Sequence, residues 1–272
     1  MRAVAALLLG VLATAVACAG EEGDLTVRRR TGADQTERAG PGRLQTRLGA
    51  VPSDPGPAGL HPLGLARGRD GLVYVPPGYR PDSPAPLVLA LHGAGGTARD
   101  AVELLRPFAD REGLVVLAVD SREPTWDVIV GGYGPDVEFI DAALAHVSSR
   151  YAVDAERLAV AGFSDGASYA LSLGLTNGDL FGSVLAFSPG FARPADRRGE
   201  PRLFVSHGIH DRVLPIDVTS RRVVPRLRAL GYRVSYQEFD GGHSVPAEVA
   251  AEAISWFLDE AGSPTTASPW SG

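Results

Sequence analysis

The stretch Leu158-Ala159-Val160-Ala161-Gly162-Phe163-Ser164-Asp165-Gly166-Ala167-Ser168-Tyr169-Ala170 decides how the rest of the chain is read. Its first part is a continuous apolar run, as expected of a strand covered on both faces by other elements. Its last part is a row of small residues suited to a helix lying close against that strand. Between them sits Gly162-x-Ser164-x-Gly166, in which glycines permit a sharp turn and a close approach of strand and helix, leaving a serine hydroxyl above the sheet. In a chain with 33 Gly the five-residue pattern alone is weak. Its position directly after a buried strand and directly before a helix is what gives it weight.

Outward from this point the same alternation recurs. Upstream, Gly71 to Pro76 reads as a strand stopped by Pro76 and Pro77, and Leu87 to Leu91 as a buried strand ending at His92 and Gly93. Thr97 with Asp100 marks a helix start ahead of Ala101, Leu104, Leu105 and Phe108. Leu114 to Val119 is a further strand, and Gly134-Pro135 opens a helix with Asp136 and Glu138 in its first turn and Arg150 near its end. Downstream come strands Val184 to Phe187 and Leu203 to Ser206, and a helix Thr219 to Leu230 that Pro225 should kink. A strand Val234 to Phe239 and a helix facing inward through Val249, Ala253, Trp256 and Phe257 complete the series. Such alternation predicts one α/β domain over 63–262, with a mostly parallel central sheet, helices on both faces, and a frayed tail over 263–272.

A serine hydroxyl needs a base, and the base needs a carboxylate to orient it. Strand Leu203 to Ser206 runs into His207-Gly208-Ile209-His210-Asp211, and strand Val234 to Phe239 into Asp240-Gly241-Gly242-His243. Three strand ends therefore deliver Ser164, Asp211 and His243 to one sheet edge, in the chain order Ser, Asp, His. His92-Gly93-Ala94-Gly95-Gly96 follows an earlier strand and suits a loop whose amides bind an oxyanion. The Ala94 and Asp165 amides are the expected donors. The Gly-rich loop lacks the Lys of a phosphate-binding P-loop and the spacing of a dinucleotide fingerprint.

Other polar residues have blander readings. His207 is expected to pack and hydrogen-bond at its strand end, His92 to orient the Gly-rich loop, and Asp165 to sit at a helix N-terminus. Asp240 is the alternative acid, on the same loop as His243. The stretch 121–134 runs toward the same edge, which makes Trp126 a candidate wall of the substrate pocket.

With Leu87 to Gly96, Gly162 to Gly166, His207 to Asp211 and Gly241 to His243 in view, the chain resembles serine esterases of the α/β-hydrolase superfamily. The similarity is to the carboxylesterase/phospholipase group and to the polyhydroxyalkanoate depolymerase and feruloyl esterase relatives, over roughly 63–261. That resemblance implies hydrolysis of a carboxylic ester, small or polymer-derived, through an acyl-enzyme, with no metal or organic cofactor. The interval from Ser164 to Asp211 leaves no room for a large lid domain. A serine peptidase of the same fold and a non-catalytic binding protein are the alternatives. An intact Ser–His–Asp set with its oxyanion loop speaks against the binder, and the lack of a propeller or cap domain against the peptidase.

The N-terminal quarter reads differently. Arg2 precedes an apolar run from Ala3 to Ala17, too short to span a bilayer and ending in small residues, which predicts a signal peptide over 1–18. Cys18 is the only cysteine and follows Ala15-Val16-Ala17, resembling a bacterial lipoprotein signal. The expectation is an exported protein, extracellular or in the cell envelope, either tethered to a membrane through lipidated Cys18 or freely secreted after ordinary cleavage following Ala17 or Ala19. From Ala19 to Pro62, Gly, Pro and mixed charges prevail without a sustained period, so 19–62 reads as a flexible linker. A net charge of −6, with all 26 basic residues being scattered arginines, gives no basic field for nucleic acid.

Overall fold

The computed structural model describes residues 40–48, 52 and 54–259. An eight-stranded sheet forms the centre, in the order β1-β2-β4-β3-β5-β6-β7-β8. The strands are β1 (Gly59–Pro62), β2 (Gly71–Val75), β3 (Ala85–Leu91), β4 (Val115–Val119), β5 (Val153–Phe163), β6 (Ser183–Phe187), β7 (Arg202–Gly208) and β8 (Val234–Phe239). β2 runs antiparallel to β1 and β4, and every other pairing is parallel. The expected mostly parallel α/β sheet is therefore present, extended by the short antiparallel β1.

The helices are α1 (Ala98–Glu112), α2 (Asp127–Val130), α3 (Pro135–Arg150), α4 (Asp165–Thr176), α5 (Ser220–Ala229) and α6 (Ala247–Leu258). β3 shows why both sheet faces are covered. Leu87, Leu89 and Leu91 point into a core shared with α3, α4 and α5, whereas Val88 and Ala90 join the opposite core beneath α1 and α6. Each fully buried Leu or Val contributes about 1.5 to 3 kcal/mol relative to exposure, so a strand apolar at every position is stable only in the middle of such a sandwich. At the start of α1 the Asp100 carboxylate accepts the Thr97 amide and hydroxyl, each at 2.8 Å, as the sequence suggested. Gly113 closes that helix in the left-handed region at φ 66°.

The linker expectation is corrected over its described part. Residues 40–48 lie against the domain, and Gly59–Pro62 is a strand. Leu44 is buried in the core, its amide donating to Asn177 Oδ1 at 2.9 Å, while Asn177 Nδ2 donates to the Gly42 carbonyl at 2.8 Å. One amide side chain thus pairs with the segment as a neighbouring strand would. Arg43 adds a two-pronged contact with Asp179 at 2.7 and 2.8 Å, and the Asp141 carboxylate accepts the Gln45 and Thr46 amides. None of these partners is near in sequence, so local composition gave no sign of them. The catalytic-domain boundary expected at residue 63 accordingly moves upstream. The signal peptide, Cys18, most of the linker and the tail over 263–272 lie outside the described residues.

No large lid separates β6 from β7. The connection instead runs along α4, held by hydroxyls four residues apart: Ser168, Ser172 and Thr176 accept the amides of Gly190, Arg193 and Ala195 at 2.9, 2.9 and 3.1 Å.

Candidate active site

The turn from β5 into α4 is the geometric centre. Ser164 has φ 58° and ψ −119°, a conformation a non-glycine residue adopts only under strain of about 1 to 3 kcal/mol. The flanking glycines make it possible. A Cβ on Gly162 would lie 2.1 Å from the Gly166 carbonyl oxygen, and one on Gly166 would lie 2.3 Å from that of Leu91. The Ser164 amide donates to the Phe187 carbonyl at 2.9 Å, fixing the elbow to β6.

Asp211 and His243 reach this serine from the ends of β7 and β8. His243 Nδ1 lies 2.6 Å from Asp211 Oδ2, and its Nε2 lies 2.8 Å from Ser164 Oγ. A carboxylate can only accept, so Nδ1 carries the proton and the Nε2 lone pair faces the serine hydroxyl. The two loops are locked together by Ile209 N to Phe239 O and His210 N to Gly241 O, both 2.9 Å. The Phe163 ring packs against the imidazole at 4.7 Å between centroids. A hydroxyl on an imidazole on a buried carboxylate is the arrangement that makes a serine alcohol nucleophilic at neutral pH.

Asp211 is well provided with donors. Its Oδ1 accepts the Val213 and Leu214 amides at 2.8 Å each, and its Oδ2 is also 3.2 Å from His207 Nε2. Burial alone would push this carboxyl up. The Leu214 amide, the His243 ring and the Val213 amide outweigh it and hold Asp211 below the usual carboxylate range. His207 is buried, with Nε2 donating to the Leu214 carbonyl at 2.8 Å and Nδ1 2.7 Å from Ser220 Oγ. Burial pushes its imidazole down, so it is neutral there and braces the Asp211 loop. Asp240, the alternative acid, faces solvent in a 3.0 Å pair with His210.

On the other side of Ser164, the Gly95 amide donates to the Pro124 carbonyl at 2.7 Å and the Gly96 amide to the Gly93 carbonyl at 3.0 Å. The Ala94 amide, and the Asp165 amide in the first turn of α4, donate to no acceptor among the described residues. His92 lies beneath this loop. Its Nε2 accepts the Ser121 amide at 3.0 Å, leaving Nδ1 to donate to the Gly93 carbonyl at 2.7 Å. Burial, together with the charge of Arg69, pushes His92 down and keeps it neutral. Asp165 Oδ2 accepts the Thr125 hydroxyl at 2.6 Å, tying the elbow to the 121–134 loop.

Trp126 is not a pocket wall. It is fully buried, stacked on Tyr169 at 5.0 Å, and donates Nε1–H to the His92 carbonyl at 2.9 Å. The loop turns its indole into the core because Asp136 and Asp127 cap each other's helices: Asp136 Oδ2 accepts the Asp127 amide, and Asp127 Oδ2 accepts those of Gly134 and Asp136. Sequence reading also passed over Arg69, which reaches this loop system from the β1–β2 connection. A lone arginine in a scattered set carries no signal that would single it out. Among the described residues, no cluster of three or more His, Cys, Asp or Glu is placed to hold a metal ion, and no helix is long and apolar enough to cross a membrane.

The family model of phospholipases and carboxylesterases matches residues 137–260. Feruloyl esterase C of Emericella nidulans is 29% identical over 158 residues, covering 55% of this chain and 57% of that protein. The chain thus spans little more than half the length of the curated relatives it matches. A fluorophosphonate-binding serine hydrolase of Staphylococcus aureus superposes with a TM-score of 0.63 at 15% identity, over 75% of this chain and 100% of that one. A ferulic acid esterase from Anaeromyces mucronatus, solved in complex with ferulic acid, gives 0.54 at 20% identity over 68% and 83% of the two chains. Sheet order, elbow and structural likeness together show that this chain has the α/β-hydrolase fold.

Proposed function

We propose that the chain is a serine hydrolase that cleaves carboxylic esters through an acyl-enzyme on Ser164. The observation that carries this reading is the continuous hydrogen-bonded line Ser164–His243–Asp211, at 2.8 and 2.6 Å. As Ser164 Oγ attacks the ester carbonyl, its proton passes to His243 Nε2. Asp211 stays ionised and steadies the resulting imidazolium through Nδ1–H. The tetrahedral oxygen takes its negative charge toward the Ala94 and Asp165 amides, each donor being worth about 3 to 4 kcal/mol in such sites. Collapse breaks the bond to the alcohol, which leaves with the proton from His243. Water, deprotonated in turn by His243, then attacks the acyl carbon, and the second tetrahedral adduct collapses to the free acid as His243 returns the proton to Ser164 Oγ.

An ester with an aromatic acyl group of the ferulic type is the favoured substrate class. Two kinds of relative support this: the curated feruloyl esterases, and the Anaeromyces esterase that holds ferulic acid. The chain is further proposed to be exported and tethered to a membrane by lipid on Cys18, on the strength of the apolar run before Ala15-Val16-Ala17-Cys18. A panel of methyl hydroxycinnamates, short-chain and long-chain p-nitrophenyl esters tests the activity. We expect the wild type to turn over hydroxycinnamates and Ser164→Ala to lose at least about 10⁴-fold. Equal rates for the two proteins on every ester would defeat the proposal.

A further inference from the structure

We infer that Arg69 is a positioning residue for the oxyanion site, holding the 92–97 loop from the neighbouring β1–β2 connection. Its guanidinium spans three groups. Nη2 donates to the Gly96 carbonyl and to Ser121 Oγ, both at 3.1 Å, and stands 3.4 Å from His92 Nε2, while Nε donates to the Ser121 carbonyl. The arginine thereby fixes the two residues, Ser121 and His92, whose contact sets the His92 tautomer.

The consequence follows along a short chain of bonds. His92 Nδ1–H holds the Gly93 carbonyl, which also accepts the Gly96 amide across a tight turn with Gly95 at φ 70°. Carbonyl and amide of one trans peptide point in opposite directions. Fixing the Gly93 carbonyl toward His92 therefore turns the Ala94 N–H away from that ring. Gly93 itself lies against the elbow, where an added Cβ would be 3.4 Å from that of Ser164. With Arg69 removed, the Gly96 carbonyl and Ser121 lose their shared donor, and the turn that orients the Ala94 amide is held from one side only.

The segment that carries Arg69 is itself braced. The Asp70 carboxylate accepts the amides of Gly64, Leu65 and Ala66 at 2.8, 3.1 and 3.3 Å. The Asp70 carbonyl accepts the Asp120 amide at 2.7 Å, and its amide donates to Asp120 Oδ2 at 3.2 Å. Asp120 Oδ1 caps α1 through the Ala98 amide at 2.6 Å. The arginine is thus delivered from a rigid hairpin that shares a carboxylate with the helix following the oxyanion loop.

The inference rests on the proposed role of the Ala94 amide, so its test has one readout that needs no activity. Hydrogen exchange at Gly95 and Gly96 is compared among wild type, Arg69→Met, which keeps the length and loses every donor, and Arg69→Lys, which keeps charge but not the three-way span. We expect exchange at those two amides to quicken at least about tenfold in Arg69→Met with α4 protection unchanged, and the Lys variant to lie between. On an ester that the wild type hydrolyses, kcat should fall by about 10- to 100-fold in Arg69→Met with KM within twofold, and Arg69→Lys should recover part of it. Wild-type exchange at Gly95 and Gly96 in both variants overturns the inference whatever the activity, as does a loss that falls on KM alone. If the wild type hydrolyses no ester, the esterase reading fails and the exchange result alone decides Arg69. If Arg69→Met does not fold, Arg69→Lys is read by the same two criteria.

Discussion

The two sides of Ser164 are built on different principles. In the proposed mechanism Asp211 and His243 are themselves the working groups of the acid–base side, presented on two short loops that follow β7 and β8. On the oxyanion side the groups offered are backbone amides, which have no identity of their own, and the side chains holding them come from 69, 92, 121, 125 and 126. A reacting side chain marks its position by its chemistry. A backbone donor is only as well placed as the ordinary residues that fix its peptide plane, and those are recruited from wherever the fold brings them.

The sharpest way to probe this contrast is to damage each side in turn. Asp211→Asn keeps shape but presents an amide to His243 and favours the wrong tautomer, so we expect kcat to fall by about 10⁴-fold with little change in folding. Burst and steady-state kinetics on a chromogenic ester check it. A loss below tenfold would move the carboxylate role elsewhere. On the oxyanion side, Trp126→Ala should act chiefly as a core lesion. It removes a buried indole and the donor to the His92 carbonyl, destabilising the fold by about 3 to 5 kcal/mol in urea titration. The relative kcat/KM values across a graded ester series should stay in wild-type order. A selective gain for bulky acyl groups would instead restore Trp126 to the pocket wall.

Much of this was legible from residues alone, and the failures have a common cause. The parallel sheet, the elbow and the three strand-end residues Ser164, Asp211 and His243 follow from apolar runs, glycine punctuation and the order of a few reactive side chains. For Trp126, sequence shows that its loop heads for the site edge but not which way the indole turns. That choice is made by the reciprocal capping of Asp127 and Asp136. Residues 40–48 look like linker in the sequence because their partners, Asp141, Asn177 and Asp179, lie more than ninety positions away. The hydroxyls of Ser168, Ser172 and Thr176 likewise look like small helix residues until the chain they hold is seen.

The segment over 40–48 gives a test of intermediate size. Leu44→Ala should cost about 2 to 5 kcal/mol in urea titration, as for any buried leucine, while leaving kcat/KM per folded molecule unchanged. A stability within 0.5 kcal/mol of wild type, roughly the scatter of ordinary surface substitutions, would return the segment to a linker.

The smallest expected effect is shared by both sides. His92 and His207 are each buried with the imidazole pushed down. Between that lowered range and about 6.5, the unfolded chain binds protons that the folded protein refuses. Their stabilisation is therefore complete above about pH 6.5 and declines as pH falls below it. The urea midpoint should drop on going from pH 7 to pH 5, and the slope in that window should be shallower in His207→Gln. An unchanged slope would mean that the ring takes up a proton in the folded state as readily as in water.

The most direct measurement is reaction of the folded protein with a fluorophosphonate, read by intact mass and peptide mapping. We expect one adduct on Ser164, formed much more slowly in Asp211→Asn and not at all in Ser164→Ala. A folded wild-type protein that leaves Ser164 unmodified, or is labelled equally with that serine replaced, would contradict a nucleophile at the elbow.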